Sequence, residues 1–590
     1  MAESLSVIQW LQENGYWNSE LADVHKSSYG GIGVFLKPDA GEKFNLDTYN
    51  VDESPEIILR VPKSNILSAK NSFLYSLLED YEHTREESAS ESEVDLRSGM
   101  HAMVLTYIYE AAAGPESPWY QYLQSIAIGN RSTSDLENVP ICLWPENIKS
   151  GMRNTECDLL NMLDNRELIQ FFIECIQFAR SSASLVPIPS VLSLPDTQLS
   201  AENLLAKHYD AIVYFGRHVQ TVISRAFEVD DYHGLSLVPG ADLFNHAFPI
   251  EKDSHTIGQE NVHFVSSNEV CHFCGEVECD HDESESADEH EENEDGNEDE
   301  HEENEDENED ENEDENEDEN DGENGMEEQL HSSEAESVQQ EDEESTDMSD
   351  AEQETLPADD DLRKDLESGE TCCDIVLTNA ATDGELLNTY GNDLPNAYLL
   401  QRYGFANPPE YPNPNDSCLL SVQMFAYLKN YKKKLNTKEK AGLENRLMWF
   451  EDVGYGAVNE IIQQEEEEHE QDCEDGDECE HSHTEFSESW QLSIKIEYNG
   501  KPSLQTHAFL NLVKMKEREF QGLVKAVESN DLTKFTTLLL IESNTNLDTI
   551  NEWRRQRLKR YGKPPAGESI QEKFIRGIIT QEKNILNKMV

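Results

Sequence analysis

Three short segments of this chain carry residue types that can do chemistry, and they lie far apart in sequence. The first is Gly31-Ile32-Gly33, where two glycines around one residue let backbone approach a ligand closely. The same pattern is equally an ordinary turn between strands. The second runs from Thr221-Val222-Ile223-Ser224-Arg225-Ala226-Phe227 to Leu237-Val238-Pro239-Gly240-Ala241-Asp242-Leu243-Phe244-Asn245-His246. An Asp-x-x-Asn-His group after a proline-ended apolar run gathers polar groups at a loop. Such groups can satisfy the amide-like edge of an adenine or a charged amino-acid moiety. Read singly, His246 is also a metal ligand or a core histidine, and Asn245 a turn cap. The third runs from Gly384-Glu385 to Tyr390-Gly391, continuing through Asn396 to Tyr403-Gly404-Phe405; its two Tyr-Gly pairs are thirteen residues apart. A tyrosine beside glycine is more often a packing group than a catalyst.

A fourth stretch holds metal-ligand types. Cys271-His272-Phe273-Cys274-Gly275-Glu276-Val277-Glu278-Cys279-Asp280-His281 offers Cys-x-x-Cys, a third cysteine and a histidine. Three thiolates and an imidazole at this spacing can complete a tetrahedral, structural zinc site through Cys271, Cys274, Cys279 and His281. Cys372 and Cys373 are alternative ligands from beyond the acidic stretch, and a set of reduced thiols is the plain alternative. A sparser group, Cys473, Cys479, His481 and His483, lies in an acidic loop.

The elements that must position these segments follow from periodicity. Leu5, Ile8 and Leu11 share one face of a short helix over 5–14. The glycine-rich turn at 30–33 runs into β-prone Val34-Phe35, and Ile57–Pro62 reads as a second strand. From 66 to 230 the spacing is helical, as in Met103–Ala113, Leu159–Ala179 and Ala201–Phe227. Residues 235–265 return to loop and strand, Asp374–Leu377 reads as a strand, and the chain from Ser417 onward is mainly helical, with a basic helix around Asn551–Tyr561. A β-rich start followed by helices implies a helical insert within a β domain.

Charge separates the function classes. From Asp282 to Leu362 the chain holds 43 acidic residues and no Lys or Arg, within a net charge of −79. This low-complexity tract buries too little surface to offset its ordering entropy, so disorder is expected. So acidic a surface repels phosphates, which excludes direct nucleic-acid binding, and it attracts basic proteins; simple solvation is the bland alternative. No apolar run is long enough for a membrane span, and the first residues lack a secretory pattern. Eleven thinly spread cysteines fit reduced thiols in an intracellular protein, cytoplasmic with the nucleus as a second location.

Taken together, the order of the segments resembles the SET-domain protein lysine methyltransferases, and within them the Rubisco large-subunit methyltransferase class, which includes the fungal ribosomal-protein lysine methyltransferases. The resemblance rests on Gly31-x-Gly33, Ser224-Arg225-x-Phe227, Asp242-x-x-Asn245-His246, Glu385-x-x-x-x-Tyr390-Gly391 and Asn396-x-x-Leu399-Leu400-x-x-Tyr403-Gly404-Phe405. It covers most of residues 1–265 and 370–590. It implies an α+β fold: a SET β-fold in pieces at 1–65, 231–281 and 363–407, a helical insert at 66–230, and the disordered acidic insertion at 282–362. An all-α substrate-binding domain at 408–590, with an acidic loop at 464–483, completes it.

The resemblance also implies site roles. Gly31, Ile32 and Gly33 would hold the methionine part of S-adenosylmethionine, Asn245 and His246 its adenosine, and Arg225 its carboxylate region. Ser224 and Asp242 would sit near the target lysine. Tyr390 would be the catalytic tyrosine and touch the cofactor, Tyr403 would complete the lysine channel, and Phe405 would pack against the cofactor. SET cores of this class need no zinc, so a metal at Cys271–His281 would be structural. The implied activity is methylation of a lysine on a basic protein of the translation machinery, a ribosomal protein first and an elongation factor second. Protein-histidine methylation and a non-enzymatic acidic binder on a degenerate scaffold are the rivals. Oligomeric state is not legible.

Overall fold

The computed structural model describes residues 2–588 apart from 29–30, 39, 41–55, 88–93, 130, 196–198, 253–254, 258, 269, 278, 280, 282–361, 363, 365, 367–368, 379–383 and 472–488. The expected disordered insertion (Leu362 apart) and the group from Cys473 to His483 therefore lie outside the described residues. Residues 1–278 and 357–590 form one compact unit, which carries every element below.

Two four-stranded sheets organise the part of the unit that carries the three motifs. The strands in chain order are β1 (Tyr16–Trp17), β2 (Ala22–Lys26), β3 (Ile32–Leu36), β4 (Ile57–Pro62), β5 (Ala226–Glu228), β6 (Leu235–Leu237) and β7 (Asn245–His246). They continue as β8 (Ile250–Lys252), β9 (His255–Ile257), β10 (Val262–Ser266), β11 (Cys372–Leu377), β12 (Glu385–Asn388), β13 (Cys418–Leu419) and β14 (Lys495–Ile496). The first sheet has the order β1-β4-β11-β10. Every residue of β11 is buried, which matches its run of Ile375, Val376 and Leu377 between two neighbours. Its one acid, Asp374, faces Arg60 on β4 in an ion pair of 2.6 Å. The second sheet has the order β2-β3-β12-β7, and it joins the distant motifs.

The helical insert packs around Gly99–Ala113, which is buried on all sides from Ala102 to Glu110. Two of the helices read from periodicity are shorter than expected. The run Ala201–Phe227 is two helices, Ala201–Lys207 and Tyr209–Ile223, because His208 between them has non-helical backbone at φ −128°. Its end turns at Ser224 and pairs as β5 with β6, so ladder hydrogen bonds replace helical ones at Ala226–Glu228. The run Leu159–Ala179 starts late, at Arg166, because Asn161 takes a left-handed turn at φ +60°.

The C-terminal half has its own core of Phe450, Trp490, Phe509, Phe535 and Trp553. It is helical apart from the β13–β14 ribbon. The last helix, Ile570–Asn587, joins the two cores, with Ile575, Ile578 and Ile579 in the first and Ile585 and Leu586 in the second. Beside it Arg557, 1% exposed, donates to Glu156 at 2.8 Å and to Glu582 at 3.1 Å, tying the insert to the C-terminal helices. Among the described residues, no helix is long and apolar enough to cross a membrane.

Candidate active site

Strand pairing assembles the site. β12 runs antiparallel to β3, with Glu385 opposite Phe35, and parallel to β7, with Leu387 opposite Asn245 and Asn388 opposite His246. Asn245 Nδ2 donates to the Ile32 carbonyl at 3.1 Å and to Glu385 Oε1 at 2.6 Å, so the first, second and third motifs meet at one point. Glu385 Oε2 accepts from Ser27 Oγ at 2.9 Å. Gly33 faces this knot: a Cβ there would lie 2.1 Å from Glu385 Oε1 and 2.8 Å from Asn245 Nδ2. Any larger residue would push the Glu385 and Asn245 side chains out of their hydrogen bond, which accounts for that half of the Gly-x-Gly pattern.

The third motif returns against the second. The Tyr390 backbone N–H donates to His246 Nδ1 at 3.0 Å, and the Tyr390 hydroxyl donates to the Phe244 carbonyl at 3.0 Å. Burial pushes the His246 imidazole down to about 4, so it is neutral at physiological pH. Since Nδ1 accepts, the proton sits on Nε2, and that buried N–H has no hydrogen-bond partner among the described residues. The Tyr390 ring lies 5.1 Å from His246 and 4.7 Å from Tyr403, and Phe405 lies 6.1 Å from His246. Burial raises the Tyr390 hydroxyl far above its usual range and raises Tyr403 as well, so both stay protonated.

A cavity of about 350 Å³ opens onto this aromatic group, lined by Ser224, Arg225, Asp242, Asn388, Tyr390 and Tyr403 among others. Arg225 Nε lies 3.3 Å from Asp242 Oδ2, and its Nη1 donates to Ser224 Oγ at 2.9 Å. Burial raises the Asp242 carboxyl, and the Arg225 guanidinium opposes that shift. The structure thus brings Ser224, Arg225, Asp242, Tyr390 and Tyr403 to one cavity. Ile32, Gly33, Asn245 and His246 meet at the adjoining strand junction, and Gly31 immediately precedes β3. Two contributors carried no assigned role in the sequence. Glu385 sat inside a motif but was unassigned, although a glutamate opening a strand is a visible signal. Tyr122, on helix Tyr120–Ser125 of the insert, is fully buried beside Asp242, and nothing in its apolar surroundings marks it out.

The ligand atoms of Cys271, Cys274, Cys279 and His281 all lie within 4.8 Å of one another. Cys372 and Cys373 are outside that group. Cys373 is instead buried in β11, 3.7 Å from Ser266 Oγ, with its thiol pushed up to about 12 by burial.

No family model matches the chain. Among curated proteins it is similar to ribosomal lysine N-methyltransferase 3 of Saccharomyces cerevisiae, at 28% identity over 534 residues, 86% of this chain and 81% of that protein. It is also similar to an uncharacterised protein of Schizosaccharomyces pombe, at 26% identity over 248 residues, 41% of this chain and 42% of that one. Among solved structures it aligns with the SET domain of LSMT bound to lysine and AdoHcy, at 13% identity and TM-score 0.45, over 99% of this chain and 89% of that one. Rubisco LSMT bound to AdoMet aligns at 13% identity and TM-score 0.44, over 100% and 90%. Over most of both lengths, then, the sequence is similar to that of a yeast ribosomal lysine N-methyltransferase.

Proposed function

We propose that this protein transfers a methyl group from S-adenosylmethionine to a lysine side chain of a protein of the translation machinery, a ribosomal protein first among them. The observation that carries the reading is the pair of protonated tyrosines, Tyr390 and Tyr403, walling a cavity that adjoins the Gly33–Asn245–His246 junction. The substrate class is supported by the name of the yeast homologue and by the acidic charge of the chain, which favours a basic partner.

The residues present fit the cofactor. The unpartnered Nε2–H of His246 is a buried donor in want of an acceptor. Phe405 adds an aromatic face 6.1 Å away. Arg225 supplies a fixed positive charge. Ile32, Gly33, Asn245 and His246 would hold the cofactor, which supplies an electrophilic methyl on a sulfonium.

The chain's own part is to present a neutral amine in line with that methyl. A lysine has a pKa of about 10.4 in water, and only its free amine attacks. Transfer into a cavity walled by aromatic rings penalises the ammonium form, so the proton leaves to solvent through the cavity mouth. Because the Tyr390 proton is committed to the Phe244 carbonyl, its oxygen presents lone pairs only. It accepts an amine N–H and so turns the nitrogen lone pair toward the methyl. Such positioning draws on the roughly 7–11 kcal/mol that orientation can supply.

The test is transfer of labelled methyl from S-adenosylmethionine to ribosomal and cytosolic protein fractions. Methyl-lysine on hydrolysis, lost in Asn245→Ala, supports the reading. Methyl-histidine would move the chain to the rival chemistry, and absence of both transfer and cofactor binding would leave an acidic binding protein.

A further inference from the structure

We propose that Cys271, Cys274, Cys279 and His281 bind one zinc ion, which closes the turn at the start of the acidic stretch. The four residues lie within eleven consecutive positions, and their ligand atoms converge to within 4.8 Å of one another. Tetrahedral zinc with Zn–S bonds of about 2.3 Å spaces its thiolates about 3.8 Å apart. A contraction of about 1 Å at the widest pair therefore completes the shell.

The first two ligands already sit in a turn built for a metal. The Gly275 N–H donates to the Cys271 carbonyl at 2.7 Å, and the Cys271 N–H donates to the Glu276 carbonyl at 2.9 Å. Within the turn the Phe273 N–H points at Cys271 Sγ, 3.4 Å away. A backbone donor aimed at sulfur stabilises a thiolate. The residue after the second cysteine must be glycine: Gly275 has φ +77°, and a Cβ there would meet the Tyr232 ring at 2.6 Å. The turn is thereby fixed against Tyr232, in the loop where Asp230 holds Lys63 and His233. Cys271 is buried, Cys274 and Cys279 are half-buried and His281 is exposed, a gradient suited to a site that closes from the surface.

The ligand chemistry selects the ion. Three thiolates and one imidazole suit zinc, whereas calcium and magnesium take oxygen ligands. With four protein ligands no position is left open, so the ion is structural, and binding releases the thiol protons to solvent. None of the four residues lines the cavity beside Tyr390, so the proposal stands whether or not the chain is a methyltransferase.

The experiment measures metal on the full-length protein purified without chelator and dialysed against a weak one. Elemental analysis is expected to find stoichiometric zinc in the native chain and none in Cys274→Ser/Cys279→Ser. Cobalt exchanged into the native protein is expected to show sulfur-to-cobalt charge-transfer and tetrahedral bands, a readout that needs no variant. Equal zinc in native and variant chains would place the metal elsewhere in the chain and overturn the proposal. Metal-free native protein that takes up no cobalt with tetrahedral thiolate bands would overturn it too.

Discussion

Exchanging Asp416 and Asn396 tests whether the wall of the cavity is held by one particular set of hydrogen bonds. Helix Asn396–Arg402 leads directly into Tyr403, and Asn396 opens it. Asp416, 7% exposed, accepts the Asn396 backbone N–H on Oδ1 and the Asn396 side-chain amide on Oδ2, both at 2.7 Å. Asn396 Oδ1 in turn accepts the Asn407 N–H at 2.7 Å, two residues after Phe405. Asp416→Asn sets two amide donors face to face and removes one bond to a charged acceptor, which costs about 3 kcal/mol. Asn396→Asp sets two carboxylates face to face and is also destabilising. The double variant restores all three bonds. The amide introduced at position 416 accepts the backbone N–H and donates to the carboxylate introduced at position 396, which accepts the Asn407 N–H.

Denaturant unfolding at pH 8 is expected to place the double variant within about 1 kcal/mol of native, a coupling of the size seen for directly bonded pairs. Turnover should fall about tenfold in the single variants, because Tyr403 shifts with the helix, and recover in the double. A double variant as unstable as the sum of the singles would refute the reasoning. The pH dependence has a definite sign. Burial pushes the Asp416 carboxyl up to about 7, the Asn396 bonds opposing, and the Glu156 carboxylate adds to the rise. A carboxyl raised in the fold favours folding at acid pH. That contribution is complete below about pH 4 and lost as pH rises through about 7, so Asp416→Asn should flatten stability across that window.

Gly33→Ala should displace Glu385 and Asn245 together, abolishing cofactor binding by calorimetry while the C-terminal core, which lies elsewhere, stays folded by circular dichroism. His246 carries the opposite pH sign: its pKa is lowered in the fold to about 4, so its contribution is present above about pH 6.5 and lost as pH falls toward 4. Cofactor affinity should therefore hold from pH 8 to 7 and weaken only in acid. Arg557→Met leaves Glu156 and Glu582 buried without their cation, at a cost of about 3–5 kcal/mol, read as a lower denaturant midpoint.

Particular residues show where the sequence was legible. Gly31, Gly33, Asn245, His246 and Tyr390 each have an ordinary reading when taken singly, and only the order of their motifs along the chain, with the resemblance it carries, marked them out. Ile57–Pro62 and the strand at 374–377 were legible from β-branched content alone. The helix over 201–227 was overrun because periodicity continues through His208 and because Ala226-Phe227 has no local mark of pairing with β6. Tyr122 and Asp416 were not legible, since each acts through a partner more than a dozen residues away. The clamp of Asp416 on Asn396 depends on where loop 406–416 returns, which no local pattern encodes.

Methyl transfer to a ribosomal protein fraction, compared between native and Tyr390→Phe chains, decides whether the cavity beside Tyr390 is a lysine-methylating site. Methyl-lysine is expected from the native chain. In Tyr390→Phe, kcat should fall about 10–100-fold, the worth of one oriented hydrogen bond, with little change in cofactor affinity. Equal kcat in the two chains would contradict the role given to the Tyr390 hydroxyl, and no transfer from the native chain to any protein would contradict the assignment as a methyltransferase.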